Sequence, residues 1–116
     1  MVAGSDIEVV QGNLFIERSW QGAGERIEPL LQASSLRLER IVSVAHASPP
    51  DQWYDQAHPE WVAVLRGSAG LVFEGSSEIL VLRAGDYILI PAHRRHRVEW
   101  TDASSETIWL ALHYTP

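Results

Sequence analysis

From residue 36 onward this chain alternates apolar and polar residues in short runs, and a cluster of glycine, proline, serine or aspartate closes almost every run. That period of two constrains the fold more than any other feature. Successive side chains of a strand point to opposite faces, so each run can bury one face and wet the other. The runs 36–46, 60–65, 71–74, 79–83, 87–90, 96–100 and 107–114 read as strands. Ser48 to Asp51, Gly67 to Gly70, Gly75 to Ser77 and Ala84 to Asp86 read as the turns between them. Many short strands at this spacing predict an all-β, antiparallel sandwich or barrel and not βαβ units. The barrel is assigned to residues 36–116, preceded over 1–35 by an N-terminal arm or edge strand. In that arm Val9, Val10 and Leu14 to Ile16 are β-type runs, and Glu25 to Gln32 is read as a short helix with Pro29 in its first turn.

Composition narrows the chemistry. With 116 residues, 46% of them hydrophobic, the chain is of the size of one domain with its own core. No apolar run approaches the ~18 residues of a membrane span, and the N-terminus shows no signal-peptide pattern, so a cytoplasmic location and no membrane partner are expected. A net charge of −6 argues against a nucleic-acid partner. There is no cysteine, which removes disulfides and thiolate ligands. All basic residues are arginine, which removes Schiff-base chemistry.

Two polar residues fall where a barrel interior should lie. Glu60 shares its strand face with Val62 and Val64, and His96 shares its face with Val98 and Trp100. A carboxylate aimed into apolar surroundings is costly unless it is paired, hydrogen-bonded or bound to a cation. Either the two bond one another or lie at a wet rim, or they are ligands of a divalent transition metal, for which imidazole and carboxylate are ordinary donors. His46 follows Leu36, Leu38, Val42 and Val44 on one face of its strand, which would aim it inward; Arg37, Glu39, Ile41 and Ser43 take the other face.

The spacings Glu60 to Gly67 and Gly85 to Pro91 to His96 resemble the paired motifs of the cupin superfamily, single-domain antiparallel jelly-roll barrels that commonly hold one metal ion. A run from Trp53 to Gln56, then Glu60 to Val62, then Pro91 to Val98, Trp100 and Thr101 is similar to small single-domain members. The resemblance implies Glu60 and His96 as metal ligands. It departs from the pattern at the usual His-x-His pair, which falls on Tyr54 and Gln56 or on Trp53 and Asp55, and at the motif-two glycine, which is His93. Gln56 is the implied third ligand, with His93, His46 and His58 as further candidates. The expected cofactor is iron, manganese, nickel or zinc.

Beside that centre, Tyr54 and Asp55 are candidate general acid and base. Trp53, Arg97 and Trp100 are candidate pocket residues, Arg97 as a grip for an anionic group. Trp20, Trp61 and Trp109 complete a set of five tryptophans suited to core, interface or an aromatic pocket. His113 is read as a packing residue. The expected function is a metal-dependent small-molecule enzyme of dioxygenase, isomerase or decarboxylase type, working as a homodimer. The alternative is a metal-free ligand-binding or structural barrel that has lost the His-x-His pair.

Overall fold

The computed structural model describes residues 8–15 and 24–116; Ile16 and Trp20 lie outside the described residues. Eight strands follow in order: β1 (Gly24–Gln32), β2 (Leu36–Val44), β3 (Glu60–Arg66), β4 (Ser68–Phe73), β5 (Ile79–Arg83), β6 (Tyr87–Ile90), β7 (His96–Thr101) and β8 (Thr107–Tyr114). They form an antiparallel five-stranded sheet ordered β1-β2-β8-β3-β6 and a three-stranded sheet ordered β5-β4-β7. The fold is all-β, with no helix among the described residues and hence none long and apolar enough to cross a membrane.

Residues 25–32 are strand and not the short helix expected from the sequence. β1 pairs with β2 from Gly24 opposite Val44 to Gln32 opposite Arg37, and the register slips between Pro29 and Leu31. Proline has no N–H to give a ladder, so it is tolerated on an edge strand at an irregularity, and β1 is such an edge. Residues 8–15, where Val9 and Val10 suggested a strand, carry none. The carbonyls of Asn13 and Leu14 accept bonds from Arg40 Nη1, each at 3.1 Å, while Glu28 accepts from Arg40 Nη2 at 2.8 Å. Arg40 is only 7% exposed, and these acceptors satisfy a buried guanidinium.

The core lies between the sheets. Val62, Val64, Leu71, Leu82, Val98, Trp109 and Ala111 form its buried cluster. Trp109 Nε1 donates to Ser43 Oγ at 3.0 Å, so the one polar atom of the indole is not stranded. Gly67 turns β3 into β4 at φ 81°, and a side chain there would sit 2.6 Å from the Glu106 carbonyl oxygen. The residue must be glycine for both reasons.

Candidate functional site

Three cross-strand registers build the site. Glu60 on β3 lies opposite His113 on β8 and opposite Ile90 on β6, and His113 lies opposite Arg37 on β2. One row of the large sheet therefore runs Arg37, His113, Glu60, Ile90. Two residues deeper on the same face come Glu39, Ala111 and Val62, then Ile41, Trp109 and Val64. His96 opens β7 on the facing sheet. These side chains enclose a cavity of about 180 Å³ with an ionic end and an apolar floor that includes Val62, Leu71, Val98 and Trp109.

The inward face of β2 is thus its charged one. Arg37, Glu39 and Ile41 line the cavity, opposite to the orientation that would send Val42 inward with His46. Residues 13–14 meet Arg40 on the outer face, so that face is covered too. Apolar residues on both faces of a strand leave its orientation to its neighbours.

The polar contacts combine hydrogen-bonded pairs with longer electrostatic ones. His113 Nε2 is 3.1 Å from Glu39 Oε1 and 3.6 Å from Glu60 Oε2; Arg37 Nε is 2.9 Å from Glu39 Oε2. His96 Nε2 is 3.8 Å from Glu60 Oε1, and its Nδ1 is 2.9 Å from the Arg94 carbonyl. A carbonyl only accepts, so Nδ1 carries the proton. In the neutral ring Nε2 is then bare and faces Glu60. Burial lowers the pKa of both His96 and His113. Burial, helped by the charges of Glu39 and Glu25, pushes the Glu60 carboxyl up to about 7 from an ordinary 4.5. The geometry of carboxylate beside imidazole suggests ion pairs, whereas the shared burial favours the neutral forms. The desolvation argument prevails here, because neither imidazole Nε2 comes within hydrogen-bond distance of Glu60. The Gln56 amide beside Glu60 offsets a little of that carboxyl's rise, and Gln56 and Tyr54 line the same cavity. Tyr54 is pinned by a two-way backbone bridge to His96, N–H to O at 2.7 Å and 3.2 Å. Burial raises its phenol, which stays protonated at neutral pH.

The remaining sequence candidates lie elsewhere. Asp55 Oδ1 and His93 Nδ1 bond one another at 2.8 Å on exposed side chains, away from the cavity lining. His93 sits at φ 63° in the loop before β7, which turns it outward. His46 follows Ala45, at φ 46°, and its Nε2 reaches Glu25 Oε2 only at 3.6 Å. The Arg97 guanidinium stacks 5.3 Å from the Trp53 ring and pairs with Glu99. The Trp100 indole covers Gly70. None of these six side chains, Asp55, His93, His46, Trp53, Arg97 and Trp100, lines the cavity. His113, Glu39 and Arg37 do line it, and the sequence reading did not place them there. The cross-strand pairing of Glu60 with His113 was the missing signal.

Among the described residues no group of three or more histidine, aspartate or glutamate side chains is placed to hold a metal ion. The chemistry agrees: His96 Nε2 and Glu60 are competent donors, but His113 Nε2 faces Glu39 as a proton donor and has no lone pair to give. The described residues supply only two such donors, Glu60 and His96, with the Gln56 amide oxygen as the remaining candidate.

The family model described as Cupin domain matches residues 41–113, more than half of the chain. A crystal structure from Ralstonia eutropha JMP134, titled as a candidate mannose-6-phosphate isomerase, is 45% identical, with a TM-score of 0.88 covering 93% of this chain and 100% of that one. A cupin superfamily protein from Desulfitobacterium hafniense DCB-2 has a TM-score of 0.68 at 15% identity over 87% of this chain and 84% of that one. Fe(II)-HppE with an alternative substrate has a TM-score of 0.63 at 16% identity over 78% of this chain and 49% of that one. The last two likenesses speak for the fold alone. No curated protein matches the chain.

Proposed function

The chain belongs to the cupin domain family, and we propose that it is a small-molecule cupin of isomerase type, in which Glu60 moves a proton on a carbonyl-bearing, hydroxyl-rich substrate. The observation that carries this reading is the setting of Glu60. A buried carboxyl poised at about 7 lies between a bare imidazole nitrogen on His96 and an imidazole N–H on His113. General acid–base catalysis works best when the group titrates near the working pH, because it can then both take and return a proton. Glu60 would take the proton from the carbon beside the carbonyl. Tyr54, kept protonated, is a donor for the carbonyl oxygen as it gains charge. His113 gives its N–H to Glu39 beside Glu60, which steadies the anion-bearing end of the cavity.

The cavity of about 180 Å³ is smaller than the ~300–1,000 Å³ of pockets for drug-sized ligands, which limits the substrate to a small molecule. The relative at 45% identity, with its isomerase title, supports the same reaction class. The test is deuterium uptake from D₂O beside the carbonyl in a panel of small aldoses, ketoses and their phosphates, followed by NMR. Wild-type protein should catalyse exchange with at least one of them and Glu60→Gln should not. Exchange that survives Glu60→Gln, or none with any member, contradicts the reading.

A second reading follows from the tautomer of His96. Its Nδ1–H is tied to a backbone carbonyl and its Nε2 lone pair points at Glu60, the arrangement of an imidazole ready to ligate. Glu60, His96 and Gln56 would then hold iron, manganese, nickel or zinc, which would supply Lewis acidity at the same end of the cavity. Elemental analysis after incubation with each ion separates the two readings: near-stoichiometric metal in wild type, lost in His96→Ala, supports the second.

A further inference from the structure

A second, shallower cavity of about 190 Å³ opens behind the ionic row, at the tip of the β1–β2 hairpin. Arg37 and His113 line both this cavity and the first. Gln32, Ser34, Ser35, His58, Tyr114 and Thr115 are its other polar lining residues, and among the described residues no carboxylate lines it. That is an unusual vacancy in a chain whose net charge is −6.

The frame is held by backbone bonds. Ala33 N–H donates to the Leu36 carbonyl at 2.9 Å and Thr115 N–H to the Ser35 carbonyl at 2.8 Å, so the hairpin tip is tied both to itself and to the segment after β8. Arg37 meets Glu39 through Nε, and a guanidinium has five N–H donors in a fixed fork, so donors remain for a second acceptor. Its side chain is 47% exposed, so its remaining donors are open to solvent on that side.

We propose that this second cavity is an anion subsite for a tetrahedral oxyanion, above all a phosphate monoester, gripped by Arg37 and His58 with the hydroxyls of Ser34 and Ser35 as further donors. Guanidinium and hydroxyl donors around a concave, carboxylate-free surface match the three acceptor oxygens of a phosphate. Because Arg37 and His113 border both cavities, a phosphate held here leaves the rest of its molecule next to Glu60. That extension rests on the isomerase reading above; the subsite itself does not.

The test is an amide and histidine NMR titration of the whole chain with inorganic phosphate, glucose 6-phosphate and glucose. Inorganic phosphate should give saturable shifts at Ser34, Ser35, His58 and Thr115, and glucose 6-phosphate should extend them to Ile41 and Trp109. Ser34→Asp and His58→Gln, both at exposed positions, should each weaken phosphate binding by about tenfold or more. Binding of phosphate should persist in Glu60→Gln, so a failure of the isomerase reading leaves this result intact. Absence of saturable shifts with inorganic phosphate, or binding indifferent to both subsite variants, overturns the subsite. Glucose 6-phosphate shifts confined to the hairpin tip overturn the link between the cavities.

Discussion

Glu60 and His113 stand directly opposite one another on β3 and β8, with His113 Nε2 3.6 Å from Glu60 Oε2 and 3.1 Å from Glu39 Oε1. The imidazole is hydrogen-bonded to Glu39 and lies within electrostatic reach of Glu60. That relationship makes the protonation of Glu60 a property of the whole row and not of a single side chain.

Glu60→Gln should change how stability depends on pH. The folded carboxyl titrates at about 7 and an ordinary one at 4.5. Between those values the unfolded chain gives up its proton first, so wild-type stability falls as pH rises and the loss is complete above 7. The full swing is about 3 kcal/mol. Urea unfolding should find Glu60→Gln more stable than wild type at pH 8 by up to that amount, and close to it at pH 4. Equal gaps at both pH values would contradict the assignment.

Neighbouring charges should move Glu60 in opposite directions. Glu39 raises its pKa and Arg37 lowers it. Glu39→Gln should therefore bring the Glu60 midpoint down, and Arg37→Gln should take it up, both read from the ¹³C carboxyl shift. No movement in either variant would show that burial alone sets the value.

The histidines act on the acid side. Burial holds His96 and His113 below the ordinary imidazole value of 6.5. As pH falls the unfolded chain takes protons first, so their contribution is present above 6.5 and is lost below it. His113→Gln should give a shallower loss of stability between pH 7 and pH 5 than wild type shows, measured by urea midpoints.

His96→Ala should destabilise by about 2–4 kcal/mol. It empties a site that is 6% exposed and strands the Arg94 carbonyl. Thermal unfolding checks this, and a change under about 1 kcal/mol would mean that the ring is not packed as described.

Gly67→Ala should cost more than about 2 kcal/mol, because it combines φ 81° with an approach of 2.6 Å to the Glu106 carbonyl. The spacing from Glu60 to Gly67 is legible in the sequence, and its cause is the sharp passage from β3 to β4.

Alternation along single strands revealed much of the fold. The run 107–114 coincides with β8 and the run 60–65 with nearly all of β3. Glu60 and His96 stood out because each shared a face with valines that are buried. Arg37, Glu39 and His113 did not, since their place depends on register between strands, which no single run encodes. β2 carries apolar residues on both faces, so its periodicity could not tell which side faced the cavity. β1 was misread because Pro29 suits the first turn of a helix, and only pairing with β2 shows it at a register slip on an edge.

The most direct test of the account is the ¹³C titration of the Glu60 side-chain carboxyl in chelator-treated protein, identified by its absence in Glu60→Gln. A midpoint near 7 is predicted, the value of a buried base poised for proton transfer. A midpoint near the ordinary 4.5 would contradict it, leaving Glu60 an ionised carboxylate at neutral pH without the character the proposed reaction needs.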